Sequence, residues 1–294
     1  MSTWKRRVGM TLTTILGLVA VVALTGFVVS NRRLNERPDI EAHVLDIATA
    51  DVAQGERLAG AYGCRDCHGD NLAGTMLIDE MPMARLAAPN LTPGRRDGPF
   101  TPAELEVAIR HGVGADGRTL FIMPSQEYVY LSDRDVTDLI AYLQTLPAIS
   151  DTLPERQFGP VGRGLVALGK VQPVTDLMPP DARHLDAPAM EPTAELGYYL
   201  TRLCTSCHGA QLAGAPADRP GAPAGTNLTP AGNLGNWTYE QFVAVLKTGV
   251  TPDGRQLDPM FMPWTALSHM NDTEMQAIWA YLTSLEPVTS PVAQ

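Results

Sequence analysis

The sequence predicts an all-α protein in which two similar modules follow a single N-terminal transmembrane helix. Three observations support this prediction: an uncharged apolar run at residues 8–30, a duplication of the sequence after residue 50, and helix-start signals without alternating strand patterns. The chain has 294 residues, of which 45% are hydrophobic and 18% charged, a composition typical of globular proteins. Four cysteines are too few for a disulfide scaffold of this size.

The apolar run at residues 8–30 contains 23 residues and no charge. As a helix it would extend about 34 Å, enough to cross a hydrocarbon core of ~30 Å. Basic residues flank it at positions 5–7 and 31–33. A cleaved signal peptide has a shorter apolar region of about 7–15 residues and a small-residue cleavage site. The sequence therefore favours an uncleaved membrane anchor at residues 1–37 over a signal peptide.

Charge is distributed unevenly along the chain. Residues 1–37 carry six basic and one acidic side chain, a net charge of +5, whereas residues 38–294 carry 16 basic and 31 acidic side chains, a net charge of −15. An acidic body of this size repels phosphate backbones, so the composition excludes nucleic acid as a partner.

A set of short sequences occurs twice in the same order, with an offset of 137 to 140 residues. The repeated sequences are Cys-x-x-Cys-His-Gly (64–69 and 204–209), Leu-Ala-Gly (72–74 and 212–214), Asn-Leu-Thr-Pro (90–93 and 227–230), Asp-Gly-Arg (116–118 and 253–255), Met-Pro (123–124 and 262–263) and Ala-Tyr-Leu (141–143 and 280–282). Chance does not explain a conserved order over this distance. The chain therefore contains two copies of one module.

The repeats predict the organisation of the chain. The first module is expected at residues 51–150 and the second at 191–294, each of ordinary domain size. Residues 38–50 form a tether after the anchor. Residues 151–190 contain six prolines, which disfavour helix interiors and indicate an irregular connection.

Helix-capping sequences predict the secondary structure within each module. Thr101 and Glu104 form a capping box with Pro102 at the first helical position, so a helix is expected to run to about residue 111. The equivalent helix of the second module starts at Thr238 and runs to about residue 248. A last helix in each module is expected at about 132–146 and 271–285, each ending before a proline.

All four cysteines lie in the two Cys-x-x-Cys-His motifs: Cys64 and Cys67 in the first, and Cys204 and Cys207 in the second. Two thiols three positions apart on a helical turn can add across the two vinyl groups of one haem. The histidine that follows, His68 or His208, is then placed as a ligand of the iron. The motif is the sequence signal of c-type haem attachment and predicts two covalently bound haem c groups.

Other uses of these cysteines fit the sequence less well. Zinc sites use two Cys-x-x-Cys pairs about 15–20 residues apart, whereas these pairs lie in separate modules. A thioredoxin-like redox pair requires a βαβ context, which the sequence does not predict. Structural disulfides do not explain a histidine beside the second cysteine in both copies.

The repeat also indicates the second axial ligand of each iron. A methionine sulfur opposite histidine is the ligation found in cytochromes c. Met123 lies 59 residues after the first cysteine of its motif and Met262 lies 58 after its own, and both precede proline. They are therefore the predicted ligands. Met260 is the alternative in the second module, whereas Met81 and Met83 have no equivalent there; His111 and His269, which do not repeat, leave bis-histidine ligation as a less favoured alternative.

With these motifs in view, the chain resembles a membrane-anchored di-haem cytochrome c built from two class I cytochrome c domains. It also resembles the cytochrome subunits of bacterial membrane-bound alcohol and aldehyde dehydrogenases and the di-haem subunit of cbb3-type oxidases. The resemblance implies that Pro89-Asn90-Leu91 supplies a carbonyl to the first haem's histidine. In the second module the equivalent segment is Thr226-Asn227-Leu228, which lacks the proline.

The resemblance implies an electron carrier rather than an enzyme. Its expected partners are a dehydrogenase or quinol-oxidising donor and a cytochrome or oxidase acceptor. Haem attachment to such motifs takes place outside the bacterial cytoplasmic membrane, so a single-pass inner-membrane protein with periplasmic modules is expected. The alternatives are a di-haem enzyme of the peroxidase or thiosulfate-oxidising kind with one exchangeable site, or a haem-based sensor.

Overall fold

Two pairs of crossing helices organise the protein, one pair in each predicted module. We call the two modules, residues 51–150 and 191–294, the two halves of the chain. The computed structural model describes residues 3–150, 152–217 and 222–292. Asp151, the first residue of the predicted connection, lies outside the described residues, as do the two residues at each terminus and the side chains of Lys5 and Arg6. The prediction of an all-α fold is confirmed.

The helices in chain order are α1 (Thr3–Leu34), α2 (Val52–Ala61), α3 (Cys64–His68), α4 (Pro102–His111), α5 (Ser125–Tyr128), α6 (Asp133–Thr145), α7 (Pro160–Ala167), α8 (Ala194–Thr201), α9 (Thr205–His208), α10 (Tyr239–Thr248), α11 (Trp264–Leu267) and α12 (Asp272–Ser284). Short 3₁₀ turns lie at Ile47–Thr49, Val174–Leu177, Arg202–Cys204 and Asn233–Asn236. The helices α4, α6, α10 and α12 begin and end within about one residue of the predicted positions, because their capping residues bond as expected.

Helix α1 begins before the predicted apolar run and ends after it. Its stretch Arg7–Leu34, of 28 residues, is the one helix in the described part of the chain long and apolar enough to cross a membrane, judged by length and composition. Its C-terminal end packs against α7 in the proline-rich connection. The connection is thus more ordered than its proline content suggests, because Pro160 occupies the first turn of α7, where a missing N–H costs nothing.

A small antiparallel sheet, formed by the first half and the connection, was not predicted from the sequence. Strand β1 (Thr75–Glu80) pairs with β2 (Ala84–Ala88), which pairs with the two-residue strand β3 (Gln157–Phe158). The β2 sequence, rich in alanine and containing arginine, has low strand propensity. In β1 a register irregularity between Met76 and Ile78 interrupts the pairing. Backbone pairing with neighbours therefore decides this structure rather than local sequence preference.

The crossing of the first and last helix in each half requires glycine. Helix α2 crosses α6 at Gly55, and α8 crosses α12 at Gly197. A Cβ atom on Gly55 would overlap the carbonyl oxygen of Asp138, and a Cβ on Gly197 would overlap that of Ala277. Each glycine also faces the tyrosine of the repeated Ala-Tyr-Leu sequence, Tyr142 or Tyr281. Close backbone contact at similar places therefore joins the first and last helix within each half.

We expect Gly55→Ala and Gly197→Ala each to lower the free energy of unfolding by about 3 kcal/mol, because overpacking forces the backbones apart. Gly164→Ala in α7 is the matched control, since a Cβ there meets nothing within 4 Å. It should be neutral or slightly stabilising, because alanine is the better helix former. Denaturant unfolding measures all three. Equal stability of Gly55→Ala and Gly164→Ala would show that the crossing tolerates a methyl group.

Candidate haem sites and the contact between the modules

Each Cys-x-x-Cys-His motif ends a short helix on a buried histidine. The side chain of His68 hydrogen-bonds through Nδ1 to the carbonyl oxygen of Pro89 at 2.8 Å, and His208 bonds in the same way to Thr226 at 2.8 Å. A carbonyl can only accept, so Nδ1 carries the hydrogen and Nε2 keeps its lone pair. Burial lowers the pKa of both histidines. Each imidazole is therefore neutral and oriented as an iron ligand requires.

The repeated Asn-Leu-Thr segment fixes the loop that carries this carbonyl. Asn90 is fully buried and donates to the carbonyl of Ile149 at 2.7 Å, while its Oδ1 accepts from the backbone of Thr92. Asn227 makes the equivalent bonds to Val288 and Thr229. These side chains join the loop to the segment after the last helix of each half. The sequence repeats here because the same side-chain hydrogen bonds fix this loop in each half.

None of the four cysteines forms a disulfide; Cys64, Cys67 and Cys204 are partly buried, and Cys207 is exposed. Burial raises the pKa of Cys64 and that of Cys204 to about 12. Dithiol redox chemistry and zinc binding need thiolates, which are favoured by a lowered pKa. Burial of Cys64 and Cys204 has the opposite effect on the pKa.

Met123 and Met262 occupy equivalent positions in the two halves. Both are partly buried and pack against the hydrophobic core, and both are followed by the proline that precedes a short helix, α5 or α11. Met260, the alternative in the second module, is 74% exposed, and Met81 is 52% exposed. A buried histidine, two thiols and a half-buried methionine thus recur in each half, a donor set that fits a covalently attached haem.

The two halves contact each other reciprocally through these motifs. Helix α5, which follows Met123, contacts the start of the second motif, and α11, which follows Met262, contacts α3 of the first motif. Ser206 donates to Glu127 at 2.5 Å, and Thr265 donates to Asp66 at 3.4 Å. Asp66 and Ser206 are equivalent, since each immediately precedes the second cysteine of its motif. We call these two sets of contacts the reciprocal contact.

Buried polar groups strengthen the contact between the halves. Arg57 of α2 donates two hydrogen bonds, of 2.7 and 2.8 Å, to Glu274 of α12. Asp135 accepts hydrogen bonds from the hydroxyls of Tyr62 at 2.9 Å and Tyr199 at 2.6 Å. Burial and the carboxylate raise the pKa of both tyrosines. Glu274 of the second half therefore depends on a donor from the first half. Asp135 of the first half depends on donors from both halves.

Sequence reasoning did not identify Glu127, Arg57 or Asp135. Their partners lie between 64 and 217 residues away along the chain. The one available signal was that the residue before the second cysteine is polar in both motifs. Near the predicted haem loops, Arg95, Arg96 and Trp264 donate to backbone carbonyls.

Comparison with known proteins gives one family match in each half of the chain. Residues 50–143 match the family model "Cytochrome C oxidase, cbb3-type, subunit III", and residues 195–286 match the model "Cytochrome c". The two matched regions are therefore cytochrome c-type domains, as the repeated motifs predict.

Three relatives are named as cytochromes or as cytochrome subunits. The chain is 30% identical over 80% of its length to a fructose dehydrogenase cytochrome subunit of Gluconobacter japonicus, and 27% identical over 84% to an alcohol dehydrogenase (quinone) cytochrome c subunit of Gluconacetobacter polyoxogenes. It covers 52% and 58% of those proteins, or about half their length. It is also 27% identical to a di-haem c-type cytochrome of Cereibacter sphaeroides, covering 96% of that protein and 92% of itself.

These findings define the class of protein: a c-type cytochrome with two haem-binding domains. The particular chain is a di-haem cytochrome c that resembles the cytochrome subunits of dehydrogenases. It carries two covalently bound haem c groups, as predicted from the cysteine motifs.

Proposed function

We propose that Cys64 and Cys67 attach one haem and that Cys204 and Cys207 attach the other. His68 and Met123 would ligate the first iron, and His208 and Met262 the second. The observation that carries this proposal is the repeated donor set, with each histidine Nδ1 bonded to a carbonyl at 2.8 Å. Bound haem would supply one-electron chemistry at the site that these residues form.

The protein's own side chains support electron transfer rather than substrate chemistry. The buried imidazoles are held in one tautomer, and methionine with histidine raises the reduction potential. The reciprocal contact places the two cysteine motifs against the same interface, so an electron can pass between the halves within one chain. Joining the sites covalently keeps their effective concentration high.

We propose that α1 anchors the protein in the bacterial cytoplasmic membrane with both modules in the periplasm. The electron donor would be a dehydrogenase or a quinol-oxidising protein, and the acceptor a cytochrome or an oxidase. Residues 51–150 and 191–294 carry net charges of −6 and −5, which favour a basic docking surface on a partner. Transfer rates should then fall as ionic strength rises.

Optical spectra of the oxidised and reduced protein, with and without carbon monoxide, test the function. Two low-spin haems, a methionine-to-iron charge-transfer band and no change with carbon monoxide are expected. A high-spin component or a carbon monoxide shift would mean that one iron has an exchangeable site. The di-haem enzyme and haem-based sensor would then replace the carrier as the best interpretation.

Glu127 should make the potential of the second haem depend on pH. Burial raises the pKa of this carboxyl to about 7, and it bonds to the residue beside Cys207. Above this pH its negative charge stabilises the oxidised iron, so the potential should fall by tens of millivolts as pH rises through about 7. Glu127→Gln should remove the dependence and hold the potential near the acidic wild-type value. Potentiometry at pH 5.5 and 8.5 measures this.

The matched control is Glu80→Gln, an exposed carboxylate in β1. It should leave the dependence of the potential on pH unchanged. An unaltered slope in Glu127→Gln would show that another group is responsible.

A further inference from the structure

A cavity of about 300 Å³ lies where α1 meets the sheet and the connection. Three of the eight residues that line it are arginines, namely Arg118, Arg156 and Arg163, and none of the eight is acidic. Leu34 and Phe158 contribute apolar surface. We call this the arginine cavity. It is a basic site on a part of the chain whose net charge is −15 over residues 38–294, so it is not explained by overall composition.

The position of the arginine cavity along α1 matches the headgroup layer of a bilayer. Leu34, which lines the cavity, lies four residues beyond Ser30, the last residue of the uncharged run. Four helical residues extend about 6 Å. The polar layer on each side of a hydrocarbon core is about 5–8 Å thick. With α1 across the membrane, the Leu34 side of the cavity is therefore at the level of lipid phosphates, and the Arg163 side, which contacts Phe27, is at the edge of the hydrocarbon core.

The three arginines differ in what they already bind. Arg156 donates to the carbonyls of Thr119 and Leu34, both at 2.7 Å, and Arg118 pairs with Asp116 at 2.5 Å. Arg163 has its guanidinium over the ring of Phe27, 5.2 Å from the centroid. Its Nη1 is buried and has no hydrogen-bond partner among the described residues. Arg163 therefore has a donor to offer, and guanidinium groups suit phosphate oxygens.

The helix that carries Arg163 exposes apolar side chains. Val161, in the first turn of α7, is 47% exposed, and Leu168, directly after its last residue, is 75% exposed. Helix α7 packs on α1. Apolar groups beside a basic cavity match the two parts of a phospholipid, its acyl chains and its phosphate.

We propose that the arginine cavity binds the phosphate of an anionic phospholipid, with Arg163 as the principal donor and Arg118 as the second. The acyl chains would lie along α1 and the exposed face of α7. The proposal rests on the membrane anchor of the proposed function. A bound lipid would connect α1, the sheet and α7, and so hold the first module at a fixed height above the bilayer.

Calorimetric titration of the full-length holoprotein in neutral detergent tests the proposal. The probes are dioctanoyl phosphatidylglycerol, dioctanoyl phosphatidylcholine and inorganic phosphate. We expect one phosphatidylglycerol per chain, bound more tightly than the other two. Arg163→Gln and Arg118→Gln should each weaken this binding about tenfold or more, whereas Arg134→Gln, an exposed arginine on α6, should not. Haem spectra and thermal unfolding confirm that each variant is folded.

Each contrary outcome overturns a defined part of the proposal. No binding of phosphatidylglycerol, or equal binding by Arg163→Gln, removes the site. Equal binding of inorganic phosphate means a free-anion site, and equal binding of phosphatidylcholine removes the preference for anionic lipid. Alkaline extraction of membranes tests the anchor separately. A chain released by extraction that still binds phosphatidylglycerol would refute the anchor and leave the cavity intact.

Discussion

Replacing Met123 with alanine should allow carbon monoxide to bind the first haem and should lower its reduction potential, while the second haem stays unchanged. The thioether sulfur is the axial ligand expected to stabilise the reduced iron. Without it the iron has an open position, and the potential should fall by roughly 0.1–0.3 V, part of the ~0.8 V range that axial ligation spans. Met262→Ala should have the same effect on the second haem alone.

The exposed methionines provide the controls for this pair. Met81→Ala and Met260→Ala should leave both the spectra and the potentials unchanged, because their side chains are 52% and 74% exposed. Spectroelectrochemistry with carbon monoxide resolves the two haems. A carbon monoxide complex in Met260→Ala but not in Met262→Ala would reverse the ligand assignment in the second module.

Replacing Arg57 with methionine should lower the free energy of unfolding by about 3 kcal/mol. The side chain of Glu274 is only 2% exposed, and Arg57 donates two hydrogen bonds to it from the other half of the chain. Removing one partner of a buried ion pair typically costs about 3–5 kcal/mol, because the remaining charge is left without compensation. Denaturant unfolding followed by tryptophan fluorescence and haem absorbance measures the loss.

Two variants separate this ion pair from general effects of losing an arginine. The double variant Arg57→Met, Glu274→Gln should recover much of the loss, because the neutral amide keeps its bond to the backbone of Asn271. Arg85→Met breaks an exposed pair with Asp79 and should cost less than about 1 kcal/mol. Equal losses in Arg57→Met and Arg85→Met would contradict a buried role for the pair.

The helices were predictable because their signals are local. Thr101 with Glu104, Thr238 with Gln241 and Asn271 with Glu274 each form the capping box that their spacing predicts. The strand pair β1–β2 was not predictable, since alanine-rich β2 gains its conformation from backbone partners rather than from side-chain preference.

The candidate site divides in the same way. Duplication and motif chemistry suggested the cysteines, histidines and methionines, since each haem needs a fixed set of donors at a fixed spacing. The loop carbonyls followed from the resemblance. Arg57 and Glu274, by contrast, are 217 residues apart, and no sequence pattern links them. Contacts of this kind depend on how the halves pack, which a single sequence does not express.

The reciprocal contact has the form of a two-fold symmetric dimer contained in one polypeptide. A single module carrying both surfaces could pair with a second copy of itself, because each surface is complementary to the other. Fusion into one chain frees the two copies to diverge. The sides already differ, since the carboxylate at the first site, Asp66, belongs to the motif itself, whereas the carboxylate at the second site, Glu127, comes from the opposite half. The two electron sites therefore have unequal surroundings, and this inequality can give electron flow a direction.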